Sequence, residues 1–249
     1  MSSVISFEKV GKAFSGLCVL QDFTSEIAAA EFVSVLGPSG CGKSTLLRLI
    51  AGLIPFEQGA IRFNGAAVHA PSPDIGFVFQ TSNLLPWLNV RDNLLLGVNL
   101  DPGSARPDAE ALAQLLETLG LTGFEDSYPH QLSGGMRHRV AIGQALVRNP
   151  QVLLMDEPFG ALDALTRDRL NMELLRIWQR DRKTVVMVTH SIAEAVLLSD
   201  RVLVMSERPG TILEDVRIDL PRPRDPSQTR HDPAFGDYVV RLSELMGVS

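Results

Sequence analysis

An α/β fold with a mainly parallel core sheet is what this sequence predicts, and three observations predict it. Short apolar runs recur with helical stretches between them: Glu31 to Leu36, Val152 to Met155 (VLLM), Thr184 to Val188 (TVVMV) and Arg201 to Met205. Strands that alternate with helices pair in parallel, because a crossover helix returns the chain to the same edge of the sheet. A glycine-rich loop, Gly37-Pro38-Ser39-Gly40-Cys41-Gly42-Lys43-Ser44-Thr45, joins the first of these strands to a helix. Finally, VLLM runs straight into two acids, Asp156 and Glu157. Uncompensated carboxylates are costly in a core, but the C-terminal ends of parallel strands are where open α/β sheets bind ligands.

The elements follow in order. Val4 to Val10 alternates as a half-buried strand, Gly11 to Gly16 reads as a turn carrying Phe14, and Val19 to Ile27 as a second strand. After Glu31 to Leu36, a helix from Lys43 to Ala51 stops at Gly52, with Pro55 just beyond. Ala60 to Asn64 and Asp74 to Phe79 are further strands, the latter ending at Gln80. From 84 to 150 the pattern turns helical, as an insert in the α/β core. Within it Val90 to Leu96 is amphipathic, 101–108 is a loop, Leu112, Leu115, Leu116 and Leu119 lie at helical spacing, and a longer helix spans Gly134 to Val147. A helix from Leu162 to Arg180, another from Ile192 to Leu198 and a last strand within Thr211 to Leu220 complete the core. The stretch 221–249 reads as a stiff Pro/Arg-rich linker and a terminal helix with Phe235, Tyr238, Val239, Leu242 and Leu245 on one face.

Composition narrows the classes. A chain of 249 residues is one large domain, or a domain with a subdomain insert. The net charge of −6 argues against a nucleic-acid partner. No run reaches the ~18 apolar residues of a membrane span, and Met1-Ser2-Ser3-Val4 does not open a signal peptide. Cys18 and Cys41 form neither a disulfide framework nor a metal pattern. A cytoplasmic protein is expected, with any membrane attachment made through a protein partner.

The glycine loop carries the sharpest chemistry. Glycines let successive N–H groups turn inward on an anion, and the helix that follows adds its N-terminal N–H groups and dipole. Lys43 is a mobile cation for terminal phosphates, and the Ser44 hydroxyl can ligate Mg²⁺. This is the phosphate-binding pattern G-x-x-x-x-G-K-[ST] in its strand-to-helix setting, so a nucleoside triphosphate is the expected ligand. Asp156 is placed to hold Mg²⁺ and Glu157 to polarise the attacking water. Leu132-Ser133-Gly134-Gly135-Met136 reads either as an ordinary N-cap or as a second anion site at a helix start. Gln80 reads as a polar strand cap, His190 as a structural histidine after a strand, and Phe14 as turn packing, unless context assigns them more. Cys41, beside a helix N-terminus, is either a reactive thiol or a tolerated small residue.

Taken together and in order, the P-loop, Gln80, LSGG, LLMDEP, Ala161-Leu162-Asp163 and Thr189-His190 resemble the ATP-binding subunit of an ABC transporter, from about Val4 to about Met205. The resemblance implies one ABC ATPase domain over 1–249: a P-loop NTPase (RecA-like) α/β core, an N-terminal antiparallel β subdomain and the helical insert. It implies a head-to-tail homodimer with ATP and Mg²⁺. In it Ser133, Gly134 and Gly135 would meet the γ-phosphate of the ATP on the partner copy's P-loop. At the chain's own ATP, Gln80 would contact Mg²⁺ and sense the γ-phosphate, and His190 would bond that phosphate and orient Glu157; Asp163 would couple the two sites, and Phe14 would stack on adenine where Tyr is more usual. Arg137 follows LSGGM where the widespread version has Gln, so the anion contacts would rest on Ser133 and the glycine amides.

Leu84 to Asn93 (LLPWLNVRDN), with LSGGM and Glu207-Arg208-Pro209-Gly210, is similar to importer cassettes of the nitrate, sulfonate and taurine group. In that setting the Trp87 loop grips one of two permease subunits at the cytoplasmic face of the membrane, and a solute-binding protein acts indirectly. Trp87 also reads as packing inside the insert. The competing class is a soluble ABC-type ATPase uncoupled from transport. It would carry a very long coiled-coil insert or a second cassette, whereas this insert is short and the P-loop occurs once.

Overall fold

The computed structural model describes residues 3–101, 103, 106–160 and 163–247. Strands β1 (Ser3–Phe14), β2 (Leu17–Ala28) and β3 (Phe32–Leu36) lead into helix α1 (Lys43–Ile50), followed by β4 (Gln58–Phe63), β5 (Ala66–Ala67) and β6 (Ile75–Val78). Helices α2 (Val90–Leu94), α3 (Leu96–Asn99), α4 (Ala109–Thr118) and α5 (Gly134–Leu146) come next. Then β7 (Val152–Asp156), α6 (Ala164–Asp181), β8 (Thr184–Val188), α7 (Ile192–Leu198), β9 (Arg201–Met205), β10 (Ile212–Arg217), α8 (Pro226–Thr229) and α9 (Pro233–Leu245) complete the chain. They gather into two compact units, Met1–Ser72 with Arg182–Ser249, and Pro73–Asp181.

The first unit holds two sheets. One is antiparallel, in the order β2-β1-β4-β5. Its hairpin corrects the expected turn at Gly11 to Gly16, because β1 stays paired with β2 as far as Phe14 opposite Leu17. Lys9 at φ 48° and register shifts between Phe7 and Lys12 break the alternation while the pairing continues. Only Ser15 and Gly16, both at positive φ, turn the chain. In the other sheet β3 lies between β8 and β9, parallel to both, and β10 closes the edge antiparallel to β9. Every residue of β3 and β8 is buried, which explains their unbroken apolar character.

The same unit absorbs the chain's C-terminal part, and here the linker expectation is corrected. Arg222 pairs with Asp200 at 2.7 Å and donates to the Leu198 carbonyl. Arg224 is only 3% exposed. Its guanidinium donates to the carbonyls of Val196, Leu197 and Ser199 at the end of α7, and to those of Ile218 and Leu220. Those helix-end carbonyls lack intrahelical partners, and a cation there also meets the negative end of the helix dipole. Burial lowers the Arg224 pKa to about 10, so the charge persists at neutral pH. Helix α9 then packs on α7 through buried Phe235 and Leu242.

In the second unit β6 and β7 pair in parallel, with α5 against β6 and α2 and α6 against α5. Gly143 permits the closest of these approaches: a Cβ there would lie 2.5 Å from side-chain carbons of both Leu94 and Leu119. Asn93 is fully buried and staples the loop before α2. Its amide nitrogen donates to the carbonyls of Leu85, Leu88 and Asn89, and its oxygen accepts from Leu85 N–H. Trp87, held between those anchors, is 69% exposed, so the packing alternative for this ring does not hold.

Candidate active site

The loop from Gly37 to Ser44 leaves the C-terminal end of β3 and enters α1 without a side-chain cap. Gly42 stands at φ 110°, and a Cβ on it would lie 2.9 Å from the Leu20 side chain. A Cβ on Gly37 would come within 2.9 Å of the Cys41 sulfur. Glycine at both positions is therefore a steric demand of this wrap. Lys43 is 5% exposed and donates to the Gly37 and Pro38 carbonyls at 2.7 and 2.8 Å, so the fold holds an ammonium inside the loop. Cys41 is 1% exposed, and burial leaves its thiol shielded, against the reactive-thiol alternative.

Two more expected residues belong to this unit. Strand β8 runs parallel to β3, so the turn that carries His190 leaves the same sheet edge as the glycine loop. That turn is tightly built: the buried Thr189 hydroxyl donates to Glu194 at 2.6 Å and accepts from Ser191 N–H, while the Ser191 hydroxyl caps α7 through Glu194 N–H. His190 itself is exposed. Phe14, at the tip of the β1–β2 hairpin, is 45% exposed and so is not a core residue. The buried Lys12 ammonium lies 4.8 Å from the ring centroid and pairs with Glu57 at 2.6 Å. Sequence reading missed this support, because Glu57 is distant in the chain and meets Phe14's neighbours only through the β1–β4 pairing.

The second unit brings together Gln80 and Glu157. Parallel pairing of β6 with β7 sends both strand ends to one edge, and the Gln80 amide donates to the Glu157 carboxylate at 2.9 Å. Asp156 closes β7 and is 5% exposed. Glu157 adopts φ 47°, a left-handed backbone that costs a non-glycine residue roughly 1 kcal/mol or more and that gathers at functional sites.

The LSGGM segment forms the start of α5. Ser133 is the N-cap, its hydroxyl accepting from Met136 N–H at 3.2 Å, and Arg137 donates to the Leu132 carbonyl at 2.6 Å. Gly134 opens the helix and Gly135 is buried, where a Cβ would press to 3.0 Å on Thr166 at the start of α6. Asp163 accepts from Thr166 N–H at 3.0 Å, and Thr166's side chain and amide hold its carboxyl below the usual range. Ala161 and Leu162, the other two residues of that expected motif, lie outside the described residues.

A glycine-wrapped, uncapped helix start with a buried ammonium suits a polyphosphate. The carboxylate of Asp156 is a hard oxygen donor, of the kind that suits Mg²⁺ rather than a soft metal.

Comparison with known proteins agrees with this geometry. Residues 20–160 match the family model described as ABC transporter. The taurine import ATP-binding protein TauB of Escherichia coli O157:H7 is 45% identical over 209 residues, 84% of this chain and 82% of that protein. The nitrate import ATP-binding protein NrtD of Synechocystis is 43% identical over 242 residues, 95% of this chain and 91% of that one. A solved dimeric ATP-binding cassette, in a post-hydrolysis state with ADP and Pi, superposes with a TM-score of 0.75 at 31% identity, over 87% of this chain and all of that one. The loop, the strand-end acids and these likenesses lead to one statement: this chain belongs to the ABC transporter family, as one of its ATP-hydrolysing subunits.

Proposed function

We propose that the chain powers an importer: ATP-driven closure and reopening of a homodimer moves a small anionic solute, of nitrate, aliphatic sulfonate or taurine type, through two permease subunits. The names of the taurine and nitrate relatives support import and the solute class. No helix among the described residues is long and apolar enough to cross a membrane. On the importer reading the chain sits on the cytoplasmic face, held by its permeases at the exposed Trp87 loop, with a solute-binding protein acting indirectly. A soluble ATPase uncoupled from transport is not favoured.

The observation that carries the hydrolytic reading is the Gln80–Glu157 hydrogen bond beside the strained backbone of Glu157. In this reading Gly37, Pro38, Ser39, Gly40, Cys41, Gly42, Lys43, Ser44 and Thr45 take the ATP phosphates, and Phe14 stacks on adenine. Ser44, Asp156 and Gln80 would hold Mg²⁺, which would supply charge neutralisation on the phosphates. Glu157 polarises the attacking water, with His190 orienting it. Leu132 to Met136 serve the ATP bound by the partner copy, and Asp163 lies at the dimer interface. The test is Glu157→Gln, which keeps the shape and removes the base. ATP binding should persist while turnover falls about 10²–10⁴-fold. Turnover near wild type would overturn the assignment of the base.

A further inference from the structure

Behind the glycine loop lies a turn that the hydrolytic reading leaves without a role, Glu207 to Gly210. It is rigidly built. The Ser206 hydroxyl donates to the Glu207 and Pro209 carbonyls and accepts from Thr211 N–H at 2.9 Å. Gly210 exchanges backbone hydrogen bonds with β2, donating to Val19 and accepting from Gln21. It also passes so close to the loop that a Cβ on it would lie 2.3 Å from the Cys41 carbonyl. From this anchored turn Arg208 reaches the loop itself, and its Nε and Nη2 donate to the Gly40 carbonyl at 3.1 and 2.6 Å.

We propose that Arg208 is a positioning residue for the phosphate-binding loop, fixing the peptide between Gly40 and Cys41 so that its N–H faces the loop interior. This rests on the reading that the loop binds ATP. In a trans peptide the carbonyl and the following N–H point in opposite directions, so gripping one aims the other. The Cys41 N–H indeed points toward the Pro38 carbonyl, which also accepts from Lys43. The grip matters at this peptide because Gly40 stands at φ 77°, and glycine alone does little to hold one orientation. Two donors from a planar, permanently charged guanidinium define the carbonyl's direction, and the cation polarises the peptide so that its N–H becomes a better donor to an anion.

The test compares wild type, Arg208→Ala and Arg208→Lys in the full chain. Calorimetry gives ADP and ATP affinities, and the unfolding midpoint is taken without nucleotide. Arg208→Ala should bind both nucleotides about tenfold more weakly. Its unliganded midpoint should not change, because the side chain is exposed. Arg208→Lys restores a charge and a single point donor, and should recover part of the loss. An affinity within twofold of wild type in Arg208→Ala overturns the inference. So does a loss matched by a lowered unliganded midpoint and not eased by lysine. If wild type itself binds neither nucleotide, the ATP reading fails as well; if wild type binds and Arg208→Ala is unchanged, only this inference does.

Discussion

Two helices in this chain begin with glycine next to a residue expected to meet phosphate, and their N-termini are built on opposite principles. Helix α1 starts after Gly42 in a left-handed conformation, takes no side-chain cap, and has a buried lysine folded into the loop before it. Helix α5 starts after Ser133 in an extended conformation, and the serine hydroxyl caps the Met136 N–H within the same chain. The residues just before α5 are also satisfied locally: Gln131 accepts from Tyr128 N–H, and Arg137 covers the Leu132 carbonyl. The α1 end is shaped by its neighbours, Leu20, Met205 and Arg208, into an anion cradle. The α5 end is an ordinary stable cap whose Ser133 hydroxyl, while accepting from Met136 N–H, keeps its own proton to donate to an anion beside the first-turn glycine amides. On the proposed reading the first takes phosphate within its own chain, while the second serves the nucleotide of a partner copy.

The harshest test of that contrast removes the loop's cation. Lys43→Ala should weaken ATP and ADP binding by the single chain about 100-fold, the scale of hydrogen bonds to charged groups. Equilibrium binding measures it, and an affinity close to wild type would mean that the loop's ammonium is structural. Ser133→Ala is the matched change at the other helix. It should leave single-chain nucleotide affinity as it was, lower steady-state ATP turnover about tenfold, and cost about 1 kcal/mol of stability through the lost cap. If Ser133→Ala instead reduces nucleotide binding as Lys43→Ala does, the distinction between a site for the chain's own nucleotide and one for a partner's collapses.

How far the sequence exposes this contrast depends on how local the cause is. The P-loop, the acids after VLLM and the serine before α5 are contiguous motifs, so both helix starts could be read directly. Gln80 by itself reads as a polar strand cap, and only the family resemblance gives it a role; its hydrogen bond to Glu157 follows from the parallel pairing of β6 with β7. What could not be read was support from distant sequence. Arg208 holds Gly40 across 168 residues, and Glu57 pairs with Lys12 under Phe14 across 45. No periodicity encodes such pairs. The Pro/Arg stretch misled for a related reason: its composition is that of a spacer, while the carbonyls at the end of α7, with those of Ile218 and Leu220, give Arg224 a buried place.

The smallest expected effect concerns the α5 end alone. His138 lies on α5, two residues past LSGGM, with its Nε2 buried and lacking a hydrogen-bond partner. Desolvation, then the nearby Arg137 charge, lowers its pKa below the ordinary 6.5. The sign follows from proton uptake. As pH falls through about 6.5, the unfolded chain binds a proton that the native chain still refuses, so stability declines with falling pH until the native value is reached. A carboxylate held low in the native state, such as Asp163, contributes its loss only at more acidic pH. Burial raises the pKa of Glu173 toward this interval, and its protonation changes stability in the opposite sense, so the readout is the difference between wild type and a His138 variant from pH 7 to 5.5. Unfolding midpoints across that interval should drop more in wild type than in His138→Gln, which keeps a polar side chain of similar size and cannot titrate. Acid should thus act on stability through the α5 half of the contrast, and a slope that His138→Gln does not flatten would assign the acid sensitivity elsewhere.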